Sequence, residues 1–179
     1  MKKLSVFLAV LLLCMTAFVV SSCQKLRNNT TRARVHTLLI TGNYLKPRLL
    51  CELAQYRSRQ PIFLVQNDPD NAEGIPRIFY LPGSGSTECE EFSATEFIDF
   101  LTYLSPKVVV FVGNEEECYP LDLVYQAREK NYRVLSVTGN DWDKNAQLLG
   151  EVMRLPRLAR DYRAQLDRFE AAKGIPAAK

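Results

Sequence analysis

Three apolar runs in this chain end in the dipeptide Gly-Asn, at residues 38–43, 106–114 and 134–140. A strand that helices cover on both faces reads as a continuous run of Val, Ile, Leu and Phe, whereas a half-exposed strand alternates polar and apolar positions. The runs therefore predict parallel strands of one sheet. If they are neighbours, their Gly-Asn ends line the edge where open α/β sheets usually bind ligands.

Helical periodicity occupies most of the segments between the predicted strands at 35–40, 61–65, 106–114 and 132–138. Apolar residues recur every three or four positions after Pro47, Pro120 and Asp141, and Ser93 with Glu96 has the spacing of a capping box. A further strand at 77–81 follows the turn-rich segment 67–76, which is too short for a usual parallel crossover. We therefore expect that strand to be antiparallel, at an edge of the sheet.

The last helical pattern restarts after Pro156 and places Leu158, Tyr162, Leu166 and Phe169 on one stripe. We expect this stripe to pack on its own domain, with docking on a partner helix as the alternative. Together the elements predict a three-layer α/β fold of the Rossmann or flavodoxin type. Its open, mostly parallel sheet has four to five strands, and a long C-terminal helix follows.

The first 22 residues have the layout of a secretory signal peptide. Lys2 and Lys3 precede an apolar run at residues 4–20, and two serines follow before Cys23. The alternative is an uncleaved transmembrane anchor, although the run is short for a span of roughly 20 residues. Both interpretations place the domain outside the cytoplasm.

The sequence Val20-Ser-Ser-Cys23 resembles the lipobox of bacterial lipoproteins, which is an aliphatic residue, two small residues and cysteine. The resemblance covers residues 1–24. It implies cleavage before Cys23, acylation of Cys23 with chains such as palmitate, and a domain tethered to a membrane. Position 24 is Gln rather than the Asp that marks inner-membrane retention in that family, which implies the outer membrane where the cell has one.

These observations predict the organisation of the chain. Residues 1–22 are the signal peptide, 23–34 the acylated cysteine and a polar tether, 35–173 a single α/β domain, and 174–179 a frayed tail. Without Lys2 and Lys3 the chain has 21 basic and 20 acidic side chains, a net charge of +1. Because nucleic-acid binding needs a clustered basic surface, this near-neutral balance argues against a nucleic-acid partner.

The Gly-Asn ends are the strongest candidate for a ligand site. Glycine allows close backbone approach, and the asparagine side chain both donates and accepts hydrogen bonds. The candidate ligand edge comprises Asn43, Gly83, Ser84, Asn114, Asn140 and Asp141. The alternative is that Gly-Asn only turns the chain out of each strand. Residues 82–86 lack the Lys-Ser/Thr of a phosphate loop, so we predict no nucleotide cofactor.

The sequence predicts no catalytic residues and no metal site. His36 is the only histidine, and it falls inside the first predicted strand without an acidic neighbour, which favours a packed or capped imidazole. Asp68, Asp70 and Glu73 offer oxygen ligands, but their spacing departs from that of a calcium-binding loop.

Three cysteines follow Cys23, at positions 51, 89 and 118. An extracytoplasmic compartment permits disulfides, and Cys89 and Cys118 each follow a predicted strand. We therefore consider a disulfide between Cys89 and Cys118. Cys51, on the first predicted helix, would then be a buried free thiol.

From residue 35 to about 155 the order of the elements resembles the type-2 cell-wall-binding repeat of surface proteins. The matching features are the strands at 61–65 and 106–113 and the segment 134–141, which ends in Gly with Asp nearby. The chain departs from that family in having a single copy, Gly113-Asn114 in place of paired glycines, an inserted strand at 77–81 and a lipid anchor. We carry over no binding residues from it.

The sequence thus predicts a lipid-anchored envelope protein with a non-catalytic domain that binds a cell-wall polymer or an envelope protein. The alternative is an extracytoplasmic enzyme or small-ligand binder that uses the Gly-Asn strand ends.

Overall fold

The structure, a computed structural model, describes residues 35–66, 76–83, 90–115 and 117–173. In this part of the chain the strands are β1 (Thr37–Gly42), β2 (Ile62–Gln66), β3 (Arg77–Leu81), β4 (Glu90–Phe92), β5 (Val108–Val112) and β6 (Arg133–Val137). The helices are α1 (Leu45–Ser58), α2 (Ala94–Leu104), α3 (Leu121–Glu129), α4 (Trp142–Met153) and α5 (Leu158–Ala172).

The strands form one sheet in the order β4-β3-β2-β1-β5-β6. Strands β2, β1, β5 and β6 are parallel, whereas β3 is antiparallel to β2 and β4 is antiparallel to β3. The predicted fold class is confirmed, as is the antiparallel direction of β3. Strand β4 is a correction, because the sequence predicted four to five strands and the sheet has six. The three residues of β4 are too few to show a strand period.

Helices cover the sheet on both faces, and side chains alternate between the two along each strand. Leu38 and Ile40 face α2 and α3, whereas Leu39 faces α1, α4 and α5. Strand β5, in the interior of the sheet, is buried at every position. This is the three-layer arrangement that its unbroken apolar run predicts.

The predicted starts of α2, α3 and α4 are confirmed, whereas α1 begins at Leu45, two residues before Pro47. Ser93 Oγ accepts a hydrogen bond from the Glu96 N–H, and Glu96 Oε2 accepts one from the Ser93 N–H at 2.9 Å, which is a capping box. Asp141 Oδ1 caps α4 by accepting from the Lys144 N–H at 3.1 Å. Pro120 is the N-cap residue of α3.

Helix α5 packs its apolar stripe on its own domain, as expected. Leu158, Tyr162 and Leu166 are buried in the core layer that contains α1 and α4. Phe169 stays 38% exposed at the end of the stripe. The stripe is therefore occupied within the domain, which removes it as a docking surface for a partner helix.

The buried face of α4 is not purely apolar. Asn145 is 5% exposed on that face, whereas Leu148, despite its apolar side chain, is 42% exposed. No described helix combines the length and apolarity needed to cross a bilayer. The predicted signal peptide, tether and terminal tail, residues 1–34 and 174–179, lie outside the described residues and stay predictions.

Candidate functional site

The carboxyl ends of β1, β5 and β6 lie side by side. Thr41 pairs with Val112, and Val112 pairs with Val137, in parallel register. The three Gly-Asn segments therefore leave the sheet at the same edge, here called the carboxyl edge. The chain passes from β1 to β2 on one side of β1, while β5 lies on its other side, so the strand order switches direction between β1 and β5. Open α/β sheets bind ligands at such switch points.

The chain itself fills this switch point with the turn at 117–119. Cys118 is 3% exposed, and a Cβ atom built on Gly42 would lie 2.5 Å from Cys118 Cα. A Cβ atom on Gly113, whose φ is 115°, would overlap Cys118 Sγ. Both glycines are therefore required by the packing of Cys118. The sequence predicts that these glycines leave room for a ligand, but Cys118 occupies that space.

Hydrogen bonds hold the turn in place. The Cys118 N–H donates to the Asn114 carbonyl at 2.9 Å, and the buried Tyr119 hydroxyl donates to the Gly113 carbonyl at 3.1 Å. Beneath the turn, Thr41 Oγ1 donates to the Val112 carbonyl at 2.9 Å. These bonds fix the ends of β1 and β5 against each other, which makes this part of the edge rigid.

A chain of side-chain bonds joins the ends of β5 and β6. Asn114 Oδ1 accepts from the Gly139 N–H at 3.4 Å, and Asn114 Nδ2 donates to Glu117 Oε2 at 3.3 Å. From α4, the buried Asn145 Nδ2 donates to the Gly139 carbonyl at 3.0 Å. Asn114 is thus a structural bridge with both amide atoms engaged. At Asn114 the structure therefore agrees with the alternative prediction, in which Gly-Asn only turns the chain out of the strand.

Other polar groups of the edge remain open to solvent. Asn43 Oδ1 accepts from an Arg48 guanidinium nitrogen at 2.6 Å, which leaves the Asn43 amide N–H groups. Asn140 is exposed, and its side chain forms no hydrogen bond with described residues. Apart from its chain neighbours, no atom lies within 4 Å of a Cβ position built on Gly139. The accessible surface therefore includes Asn43, Gly139, Asn140 and the second carboxylate oxygen of Asp141.

Gly83 does not belong to this edge, so that part of the predicted site is wrong. Strand β3 is antiparallel to β2, and Leu81 pairs with Ile62 at the start of β2. A Cβ atom on Gly83 would overlap the Arg59 carbonyl oxygen, at the opposite end of the sheet. Ser84 lies outside the described residues.

The two described thiols are chemically quiet. Burial raises the pKa of Cys51 and that of Cys118, so both stay protonated at neutral pH, and a thiol is a poor nucleophile. Cys51 is a buried free thiol, as expected, and Cys118 is also free. Cys89 lies outside the described residues, but Cys118 is free, so the structure does not contain the disulfide considered between them.

His36 lies at the opposite end of the sheet from the Gly-Asn segments. The sequence placed it inside the first strand, but β1 begins at Thr37 and His36 is exposed. Its backbone N–H donates to Gln60 Oε1 at 2.9 Å, and its Nδ1 lies 3.2 Å from Thr37 Oγ1. The imidazole therefore cannot act on a ligand at the carboxyl edge. Within the described ranges no three His, Cys, Asp or Glu side chains form a cluster suited to a metal ion.

Sequence reasoning missed Asn145, which positions Gly139, and the turn that fills the switch point. The signal for Asn145 was available, because it precedes Leu149 by four residues and so shares the buried stripe of α4. An open cavity of about 370 Å³ was also missed. Ala146, Gly150, Arg154, Leu155 and Ala159 line it, where α4 ends and α5 begins.

Comparison of the chain with protein-family models, curated proteins and solved structures finds no significant match. The lipobox and the similarity to type-2 cell-wall-binding repeats therefore stay predictions from the sequence.

Proposed function

We propose that this protein is a lipid-anchored component of the cell envelope whose α/β domain binds a cell-wall polymer, without catalysis, at the carboxyl edge. The observation that carries the proposal is the exposed polar surface of Asn43, Asn140 and Asp141 on strand ends that internal hydrogen bonds hold rigid. A preformed surface binds with less loss of conformational entropy than a mobile one.

The chemistry of the edge supports binding over catalysis. It offers amides and carboxylates, which recognise polar ligands by hydrogen bonds. The nearest thiol, Cys118, is buried and protonated. His36, the only imidazole of the chain, lies at the other end of the sheet.

The charge of the edge favours a polymer that is not strongly anionic. Glu115, Glu117 and Asp143 lie near Asp141, and all four are exposed, so a polyanion would be repelled. Tyr44, next to Asn43, is 53% exposed and adds an aromatic surface. Exposed amides beside an aromatic ring suit a polymer rich in hydroxyl and amide groups, which describes the glycan and peptide parts of a cell wall.

The anchor is supported by the lipobox at Val20–Cys23 and by the basic start and apolar run before it. Metabolic labelling with radioactive palmitate tests it. Wild-type protein should incorporate label and enter the detergent phase on phase separation, whereas Cys23→Ala should incorporate none. Label on the Cys23→Ala variant would contradict the proposed anchor site.

Binding is tested by co-sedimentation with purified, insoluble cell-wall polymer. We expect wild-type protein to pellet with the polymer and the double variant Asn43→Ala, Asn140→Ala to pellet much less. The matched control Gln147→Ala, Gln165→Ala removes two exposed amides from α4 and α5 and should pellet like wild type. Equal pelleting of the two variants, or no pelleting of wild type, would contradict binding at the carboxyl edge.

A further inference from the structure

The edge opposite the Gly-Asn segments is strongly basic. This amino edge comprises the starts of β1, β2, β5 and β6, the last turns of α1–α4, the first turn of α5 and the adjoining loops. Among described side chains it carries nine basic residues, all exposed: Arg57, Arg59, Lys107, Arg128, Lys130, Arg133, Arg154, Arg157 and Arg160. It carries three acidic ones, Glu129, Glu151 and Asp161, so the net charge is +6.

The carboxyl edge, defined in the same way, has the opposite sign. Its described basic residues are Lys46, Arg48, Arg77, Lys144 and Lys173. Its described acidic residues are Glu91, Glu96, Glu115, Glu117, Asp122, Asp141, Asp143 and Glu170, which gives a net charge of −3. The domain is therefore basic at one end of its strands and acidic at the other, although its total charge is close to zero.

Most of the basic side chains at the amino edge are available to a partner. Arg57 and Arg160 both pair with Asp161. The other seven form no ion pair with any described residue. Two tyrosines at the same edge, Tyr56 and Tyr103, are 71% and 51% exposed. Basic side chains with interspersed tyrosines are typical of surfaces that meet lipid headgroups.

Helix dipoles account for only part of this basic surface. Cations near helix C-termini are stabilising, which explains Arg57 and Arg128. Arg157 and Arg160 lie at the N-terminus of α5, where the dipole disfavours them. Arg59 and Arg154 have φ of 60° and 58°, the left-handed conformation that favours glycine. Several basic residues thus stand where local stability would select another residue.

The path of the chain brings the amino edge toward the membrane. Val35 precedes β1 and lies at the amino edge, twelve residues after Cys23. Twelve residues span at most about 40 Å when fully extended. In the sequence, the segment between Cys23 and Val35 contains four basic residues and no acidic one.

We propose that the amino edge docks on the anionic phospholipid headgroups of the membrane that holds the lipid anchor, so that the carboxyl edge points away from the bilayer. This orientation rests on the proposed acylation of Cys23. Each basic residue close to an anionic bilayer strengthens binding about fivefold. Docking would present Asn43 and Asn140 to a cell-wall polymer instead of to the membrane.

The test uses the mature chain, residues 23–179, with Cys23→Ser, so that no acyl chain contributes. Co-sedimentation is measured with vesicles of phosphatidylcholine alone and with vesicles that contain 30% phosphatidylglycerol. The amino-edge variant is Arg59→Asn, Lys107→Gln, Arg154→Asn, in which Asn suits the two left-handed positions. The control is Lys46→Gln, Lys144→Gln, Lys173→Gln, which removes the same charge from the carboxyl edge.

We expect wild type and control to bind the anionic vesicles, to ignore neutral ones and to dissociate as salt rises. The amino-edge variant should bind at least about tenfold more weakly, with thermal unfolding confirming that it is folded. Equal weakening in the two triple variants, undiminished binding to neutral vesicles, or no wild-type binding would each overturn the proposal. The vesicle assay uses protein without an acyl chain, so its outcome does not depend on the lipid anchor. A failure of palmitate labelling at Cys23 would therefore overturn the proposed anchor and not the charge-dependent binding.

Discussion

Gly42 and the backbone of Cys118 approach so closely that no methyl group fits between them. A Cβ atom on Gly42 would lie 2.5 Å from Cys118 Cα and 2.6 Å from the Cys118 carbonyl oxygen. Both obstacles are backbone atoms, and the turn that carries them is bonded to Gly113 and Asn114. The contact closes the switch point of the sheet with the protein's own chain and leaves the ligand surface to the neighbouring strand ends.

Gly42→Ala should therefore destabilise the domain by about 3 kcal/mol, since overpacking against atoms that cannot move is costly. Gly139→Ala is the matched control. Its Cβ atom would meet open space, so only the strain of its left-handed φ remains, roughly 1–2 kcal/mol. Urea unfolding measures both. Equal losses would contradict the account of the closed switch point.

Asn145 anchors the loop after β6, and its removal should loosen that loop. Asn145→Ala loses the bond to the Gly139 carbonyl and should cost about 1–2 kcal/mol. Amide hydrogen exchange should rise at residues 138–141 while α4 stays protected. Gln147→Ala, an exposed amide on the same helix, should change neither quantity. Unchanged exchange at 138–141 in the Asn145 variant would refute its positioning role.

Loss of the hydroxyl should lower the stability of the domain at one of two fully buried tyrosines and not at the other. The Tyr119 hydroxyl donates to the Gly113 carbonyl, so Tyr119→Phe should lower stability by about 1 kcal/mol. The Tyr162 hydroxyl has no hydrogen-bond partner among described residues, so Tyr162→Phe should be neutral or stabilising. Thermal unfolding of both variants checks the contrast. A larger loss in the Tyr162 variant would be the opposite result.

Arginine at left-handed positions should cost stability and support membrane docking. Arg59→Gly and Arg154→Gly should each stabilise the domain by about 0.5–1 kcal/mol and weaken binding to anionic vesicles. Ser105→Gly, at a third left-handed position with φ of 45°, should stabilise without affecting vesicle binding. If the arginine variants bind vesicles as strongly as wild type, these residues do not contribute to membrane docking.

The layers of the fold could be predicted because local patterns fix them. The apolar run of β5 requires cover on both faces, and the caps at Ser93 and Asp141 mark helix starts independently of tertiary structure. Strand β4 could not be predicted in this way. It has three residues, and a cross-strand ion pair joins its Glu91 to Arg77 of β3.

The candidate site could be predicted in outline only. Parallel strands end at one edge, so the common edge of the Gly-Asn segments followed from the fold class. The closing of the switch point depends on contact between Gly42 and Cys118, which are far apart in the sequence, and no local pattern reports it. Gly83 follows β3, which is antiparallel to β2 and therefore ends at the amino edge. Its assignment to the carboxyl edge holds only for a parallel strand.

The orientation of the domain on the membrane tests the account most directly. A fluorophore introduced through a non-natural amino acid at Lys107 or at Asn140 reports each edge in acylated, full-length mature protein, reconstituted in vesicles with quencher-labelled anionic lipids. We predict strong quenching at Lys107 of the amino edge and little at Asn140 of the carboxyl edge. Equal quenching at the two positions, or stronger quenching at Asn140, would contradict the proposal that one edge meets the membrane while the other meets the ligand.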